Sequence, residues 1–140
     1  MFDKSYVERL RSWSNFRDSL STSKKSIEDV IKLYNCAPIC TRAADPYNKD
    51  TWPDPWQLIK ENNYCEFTKI LAIYYTLKLS EHFSQCRFEI HIVLDEKESS
   101  LRYLLFVDNQ AIGYYYDKCI DRTELPKLQS QIQHTNLPTY

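Results

Sequence analysis

An α+β fold is what this chain predicts, from a change of period along its length. Apolar residues recur at three- and four-residue steps up to about residue 80, then alternate with polar ones over 87–108. The first period writes helices and the second writes strands with one buried face. Helices followed by an antiparallel meander make an α+β layout. A length of 140 residues suits one domain with a real core and is short for two. The expected organisation is therefore a single domain: N-terminal helices and a loop over 1–50, a core over 51–117 and a C-terminal tail over 118–140.

Taken in order, Tyr6, Leu10, Trp13, Phe16 and Leu20 form the stripe of a first helix, with Arg9, Arg11 and Arg17 outside it. Residues 21–25 break it, and Ser26-Ile27-Glu28-Asp29 resembles a capping box opening a second helix that runs to about Tyr34. Residues 35–51 hold Pro38 and Pro46 with little periodicity and read as a loop. Asp54-Pro55 starts a short helix to about Glu61, and Asn62-Asn63 ends it. A central helix over 64–80 carries the apolar stripe Phe67, Ile70, Leu71, Tyr74 and Leu77. Cys65 falls on the opposite sector with the small residues Thr68, Ala72 and Thr76, so this helix is expected to be buried on two sides, its thiol toward a sheet.

Strands follow. Phe88, Ile90, Ile92 and Leu94 alternate with Arg87, Glu89, His91 and Val93, and Leu101, Tyr103, Leu105 and Val107 alternate with Arg102, Leu104, Phe106 and Asp108. Residues 111–117 read as a third strand, and 118–140 as an extended or weakly helical tail.

Composition narrows the function. The net charge of −1 with interspersed signs leaves no electrostatic footprint for nucleic acid or an anionic membrane. No apolar run approaches the roughly 20 residues that span a bilayer. Residues 1–20 alternate charged and apolar side chains, unlike a signal or transit segment, so a cytoplasmic protein, or one built into an assembly formed there, is expected. One glycine, Gly113, means that loops must be closed by Asn, Asp, Ser and Pro. Eleven tyrosines and three tryptophans suit a surface that holds a protein or peptide. Five cysteines with no CxxC pair point to thiols rather than a zinc site, and no metal or cofactor is expected.

Three residues could do chemistry together. Cys65 sits where a helix N-terminus stabilises a thiolate, His91 could take its proton, and Asp108 could orient the imidazole. A two-residue turn at Ser99-Ser100 would set His91 opposite Asp108, with Ile92 opposite Val107 and Leu94 opposite Leu105. The plainer alternatives stay open: a buried inert thiol, a strand histidine bonded locally, and an aspartate that caps a turn with Asn109. His82 and His134 read as solvated. Gln57, Trp52 and Trp56 could supply an N–H to an oxyanion or a wall for substrate, or simply pack beneath the loop.

Trp52-Pro53-Asp54-Pro55-Trp56, then Asn63-Tyr64-Cys65-Glu66-Phe67, His91 and Asp108 together resemble the transglutaminase-like branch of the papain-like cysteine fold, over about residues 50–116. The resemblance implies a cysteine nucleophile that forms a thioester with a carboxamide or peptide carbonyl, a histidine that shuttles the proton and an aspartate that orients it. Transfer to an amine or to water would follow. Carried over, these are Cys65, His91 and Asp108. The glycine usual before the cysteine is absent, and the 26 positions from Cys65 to His91 leave out a strand or loop that often lies between. Small stand-alone copies also resemble open reading frames of tailed bacteriophages near tail and baseplate genes, which implies the alternative of a non-catalytic structural or interaction subunit of a larger assembly such as a phage tail or baseplate.

Overall fold

The computed structural model describes every residue except 23–25 and 42–43. Among the described residues, four helices precede a five-stranded antiparallel sheet: α1 (Tyr6–Thr22), α2 (Ile27–Asn35), α3 (Pro55–Glu61), α4 (Glu66–Lys78), β1 (Phe88–Asp95), β2 (Ser100–Val107), β3 (Gln110–Ile112), β4 (Ile120–Asp121) and β5 (Gln129–His134). The sheet order is β4-β3-β2-β1-β5. Part of the break expected over 21–25 lies outside the described residues, and α1 itself continues to Thr22.

The helix ends follow from their residues. Ser26 and Asp29 form the capping box of α2. Asp54 accepts the Gln57 N–H at 2.8 Å, Pro55 fills the first helical position, and Asn62 closes α3 in the left-handed region. With glycine so scarce, Ser99 and Asp108 take the other left-handed turns, at φ 53° and 51°. Arg9, outside the apolar stripe of α1, is nevertheless buried: it donates to the carbonyls of Ile59 at 3.0 Å and Lys60 at 3.1 Å, and to Lys4. A cation thus satisfies the carbonyls at the end of α3.

α4 is buried on two sides. Its stripe faces the sheet, with Phe67 edge-on to Tyr103 at 5.5 Å and Tyr74 against Phe88 at 5.2 Å. Its small-residue sector faces the helices instead, where Thr76 bonds Trp13 of α1 and Tyr34 of α2. Small side chains there let three helices close on the fourth. The reverse face of the sheet carries a second cluster, Val93, Leu104, Phe106 and Ala111, covered by Tyr114, Ile120, Leu125 and Leu128.

Two expectations change. Residues 111–117 contribute only the end of β3, because Gly113 at φ 109° turns the chain out of the sheet. Residues 118–140, expected as an extended or weakly helical tail, are extended over Gln129–His134 but belong to the sheet: β5 pairs antiparallel with β1, and the last residues dock on α3 and α4. Pro138 accepts the Tyr74 hydroxyl at 2.8 Å, and Tyr140 packs on Tyr75 and Trp56. Polar Gln129–His134 hides its strand character because an edge strand needs to bury few of its side chains.

Candidate active site and neighbouring groove

Cys65 is the N-cap of α4, extended at φ −108° and buried. Its Sγ lies 3.5 Å from both the backbone N and the hydroxyl oxygen of Thr68, while its own N–H donates to Thr68 Oγ1 at 2.8 Å. Cysteine and threonine thus replace the usual Ser/Thr–Glu pair of a capping box. The thiol thus sits against Thr68, a residue of the small-residue sector on which the sequence places it.

His91 lies on the other face of the sheet. Ile90 and Phe88 join the core around α4, so the alternating His91 points into the reverse-face cluster, its ring 4.5 Å from Phe106. Its Nε2 is 3.4 Å from Glu89 Oε1, and Glu89 Oε2 accepts from Arg122 at 3.4 Å. Burial pushes the His91 pKa down more than Glu89 lifts it. For Glu89, burial acts upward but the hydrogen bonds from His91 and Arg122 prevail and hold its carboxyl low.

Asp108 is not opposite His91. In the β1–β2 hairpin His91 pairs with Leu104, Ile92 with Tyr103 and Asp95 with Ser100. The register differs by four residues from the one a Ser99-Ser100 turn would give. Asp95 is the reason: its carboxylate accepts the N–H groups of Lys97 at 3.2 Å and Glu98 at 3.4 Å and the Arg102 Nε at 2.9 Å, which builds a longer loop over 96–99. Since the slip is even, every side chain keeps its face. Asp108 then follows β2 and accepts the Arg87 N–H at 2.7 Å, the turn-capping role. It stands about 13 Å along the strand from the residue facing His91.

The direction of the strands separates Asp108 from Cys65 as well. β1 follows α4 directly and runs antiparallel to it, with Phe88 beside Tyr74 near the end of α4 and Ile92 paired to the Tyr103 that touches Phe67. β2 therefore finishes where α4 finishes. A helix of 13 residues is about 20 Å long, and Cys65 caps its far end. An additional strand between α4 and β1 would reverse this order, so the short interval noticed in the sequence has a spatial consequence.

Trp52 is buried and spends its indole N–H on Asp45 O at 2.9 Å, and Gln57 Oε1 accepts the Asp54 N–H at 2.9 Å in the capping box. Trp56 is partly exposed against Tyr140. His134, expected in solvent, is buried edge-on to Trp52 at 4.9 Å with Nε2 2.9 Å from Pro46 O. No periodicity in the polar β5 sequence signals it.

A groove of about 440 Å³ opens between α2, the first turns of α4 and the β2–β3 hairpin. Asn35, Glu66, Lys69, Tyr103 and the run 113–116 line it. Lys69 Nζ sits 5.0 Å from the Tyr116 ring centroid, and Asn35 donates to Tyr116 O at 2.9 Å. Burial lowers the Lys69 pKa, which Glu66 partly offsets. Both charge signs and several aromatic faces meet here, on a scale that fits a few residues of a peptide.

One pH effect follows from the reverse-face cluster. A histidine whose folded pKa is depressed contributes stability above its unfolded value of about 6.5, and this is lost as pH falls through the folded value. His134, also depressed by burial, adds to the same window. The urea midpoint is therefore expected to drop between pH 7 and pH 5, and less so in His91→Gln. A flat profile would contradict the burial argument.

Neither a family model nor a curated protein matches the chain. Among solved structures, Legionella pneumophila LapG is similar, with a TM-score of 0.70 and 19% identity over 94% of this chain and 76% of LapG. LapG has a transglutaminase-like, papain-like cysteine-protease fold. The α+β fold of this chain, four helices before a five-stranded antiparallel sheet among the described residues, is the fold of LapG with its transglutaminase-like core.

Proposed function

We propose that the domain holds a protein or peptide segment in the groove beside α4, on a transglutaminase-like frame that does not use Cys65, His91 and Asp108 for acyl transfer. The observation that carries this reading is the position of Asp108 at the end of α4 remote from Cys65, bonded to Arg87. A triad needs its three groups within hydrogen-bond reach of one another. The polypeptide class of the partner rests on the protease-like fold and on the tyrosine- and charge-lined groove.

A cysteine hydrolase or acyltransferase is the second reading, favoured by one detail. Thr68 directs its backbone N–H at Cys65 Sγ in the first turn of α4, an arrangement that stabilises a thiolate. Iodoacetamide separates the two. Under the binding reading the exposed Cys36 is labelled before Cys65, and His91→Ala leaves the Cys65 rate unchanged. Preferential labelling of Cys65 that slows at least tenfold in His91→Ala would sink that reading and establish the second.

A further inference from the structure

We propose that Cys40 and Cys65 are a disulfide-forming pair that fastens the segment after α2 to the start of α4. The five cysteines are reduced in this structure. Tyr64 and Ile39 form a parallel β-bridge, in which Tyr64 N donates to Pro38 O at 3.0 Å and Cys40 N donates to Tyr64 O at 2.7 Å. Cys40 and Cys65 are the next residue along each strand. The second hydrogen bond joins the amide of Cys40 to the peptide group whose nitrogen belongs to Cys65. Cys65 itself is still extended, at φ −108°, ψ 176°.

Parallel neighbours lie about 4.8 Å apart and point in-register side chains to the same face. Disulfides join Cα atoms roughly 4.4–6.8 Å apart. The pair therefore needs only side-chain rotation. Cys36 is a poorer partner for Cys65, because it ends α2, four residues before the paired position, and its Sγ faces Lys32 O at 3.7 Å.

The chemistry balances with a low-molecular-weight disulfide as oxidant. Cys40, the more accessible of the two, attacks as thiolate, forms a mixed disulfide and releases one small thiol. Cys65 then loses its proton and attacks the Cys40 sulfur, expelling the second small thiol. Two protein thiols are oxidised and one small disulfide is reduced to two thiols. The bond closes a loop of about 25 residues and removes Cys65 from any thiolate chemistry, whichever reading of the function holds.

The test is incubation of the full chain with oxidised glutathione, followed by intact mass and non-reducing peptide mapping. The expected product is lighter by two hydrogens, carries a Cys40–Cys65 cross-linked peptide and melts about 5–10 °C higher. Cys40→Ser abolishes the cross-link and Cys36→Ser retains it. Glutathione adducts without a cross-link, a Cys36–Cys40 bond in its place, or no reaction would each overturn the proposal.

Discussion

Gly113→Ala is expected to destabilise the protein by more than about 3 kcal/mol, with a correspondingly low urea midpoint and an altered near-ultraviolet tyrosine signal. A Cβ at this position would lie 2.3 Å from the carbonyl oxygen of Tyr103 and 3.2 Å from Ile70 Cδ1, at a backbone φ of +109°. Both effects act together. The backbone conformation is costly for any L side chain, on the order of 1–3 kcal/mol. The obstructing atom is backbone of β2, held in the sheet by pairing of Tyr103 with Ile92, so it has little room to yield. Relief would swing 114–116 away from the groove. A variant within 1 kcal/mol of the parent would show that this turn is not constrained as described.

Thr76→Val is expected to cost about 2–4 kcal/mol although it preserves shape. Thr76 donates its one hydroxyl proton to Ala72 O at 2.8 Å, so the same oxygen accepts from Trp13 Nε1 at 2.9 Å and from the Tyr34 hydroxyl at 2.9 Å. All three residues are buried. Burial also pushes the Tyr34 pKa to about 12, consistent with a phenol that stays protonated and donates. Valine would strand two buried donors from α1 and α2, each costing on the order of 1–3 kcal/mol, with some recovery by local rearrangement. Thr76→Ser, which keeps the oxygen, should cost less than Thr76→Val in the same urea titration. Equal costs would mean that packing, not the hydrogen bonds, holds the helices here.

Much of the fold was legible because local signals agreed. Ser26, Asp54-Pro55 and Asn62 marked helix ends through caps that form regardless of tertiary context. The stripe Phe67 to Leu77 and the alternation over 88–107 located α4, β1 and β2. The shortage of glycine pointed to Asn, Asp and Ser as the residues that close turns, and Asn62, Ser99 and Asp108 do so in the left-handed region. What stayed hidden depends on partners distant in sequence. β5 is polar because only its pairing to β1 makes it a strand, and Arg9 is buried because the end of α3 needs donors.

The candidate site shows the same limit. The odd index sum put His91 on the correct face of its hairpin, but the face turned toward α4 belongs to Ile90. Parity fixes which residues share a face and says nothing about which way that face looks. The register itself turned on the Asp95 loop, whose hydrogen bonds to Lys97, Glu98 and Arg102 outweigh a tighter turn. Asp108, read both as a triad member and as a turn cap, caps Arg87.

His91 answers to Glu89 and Arg122 on the reverse face of the sheet and not to Cys65. Titration of His91 by NMR in the parent, Glu89→Gln and Cys65→Ala tests it directly. Glu89 raises the imidazole pKa, so Glu89→Gln should lower it further, while Cys65→Ala should leave it within experimental error. A clear shift on removing the Cys65 thiol, with none on removing the Glu89 charge, would contradict the account.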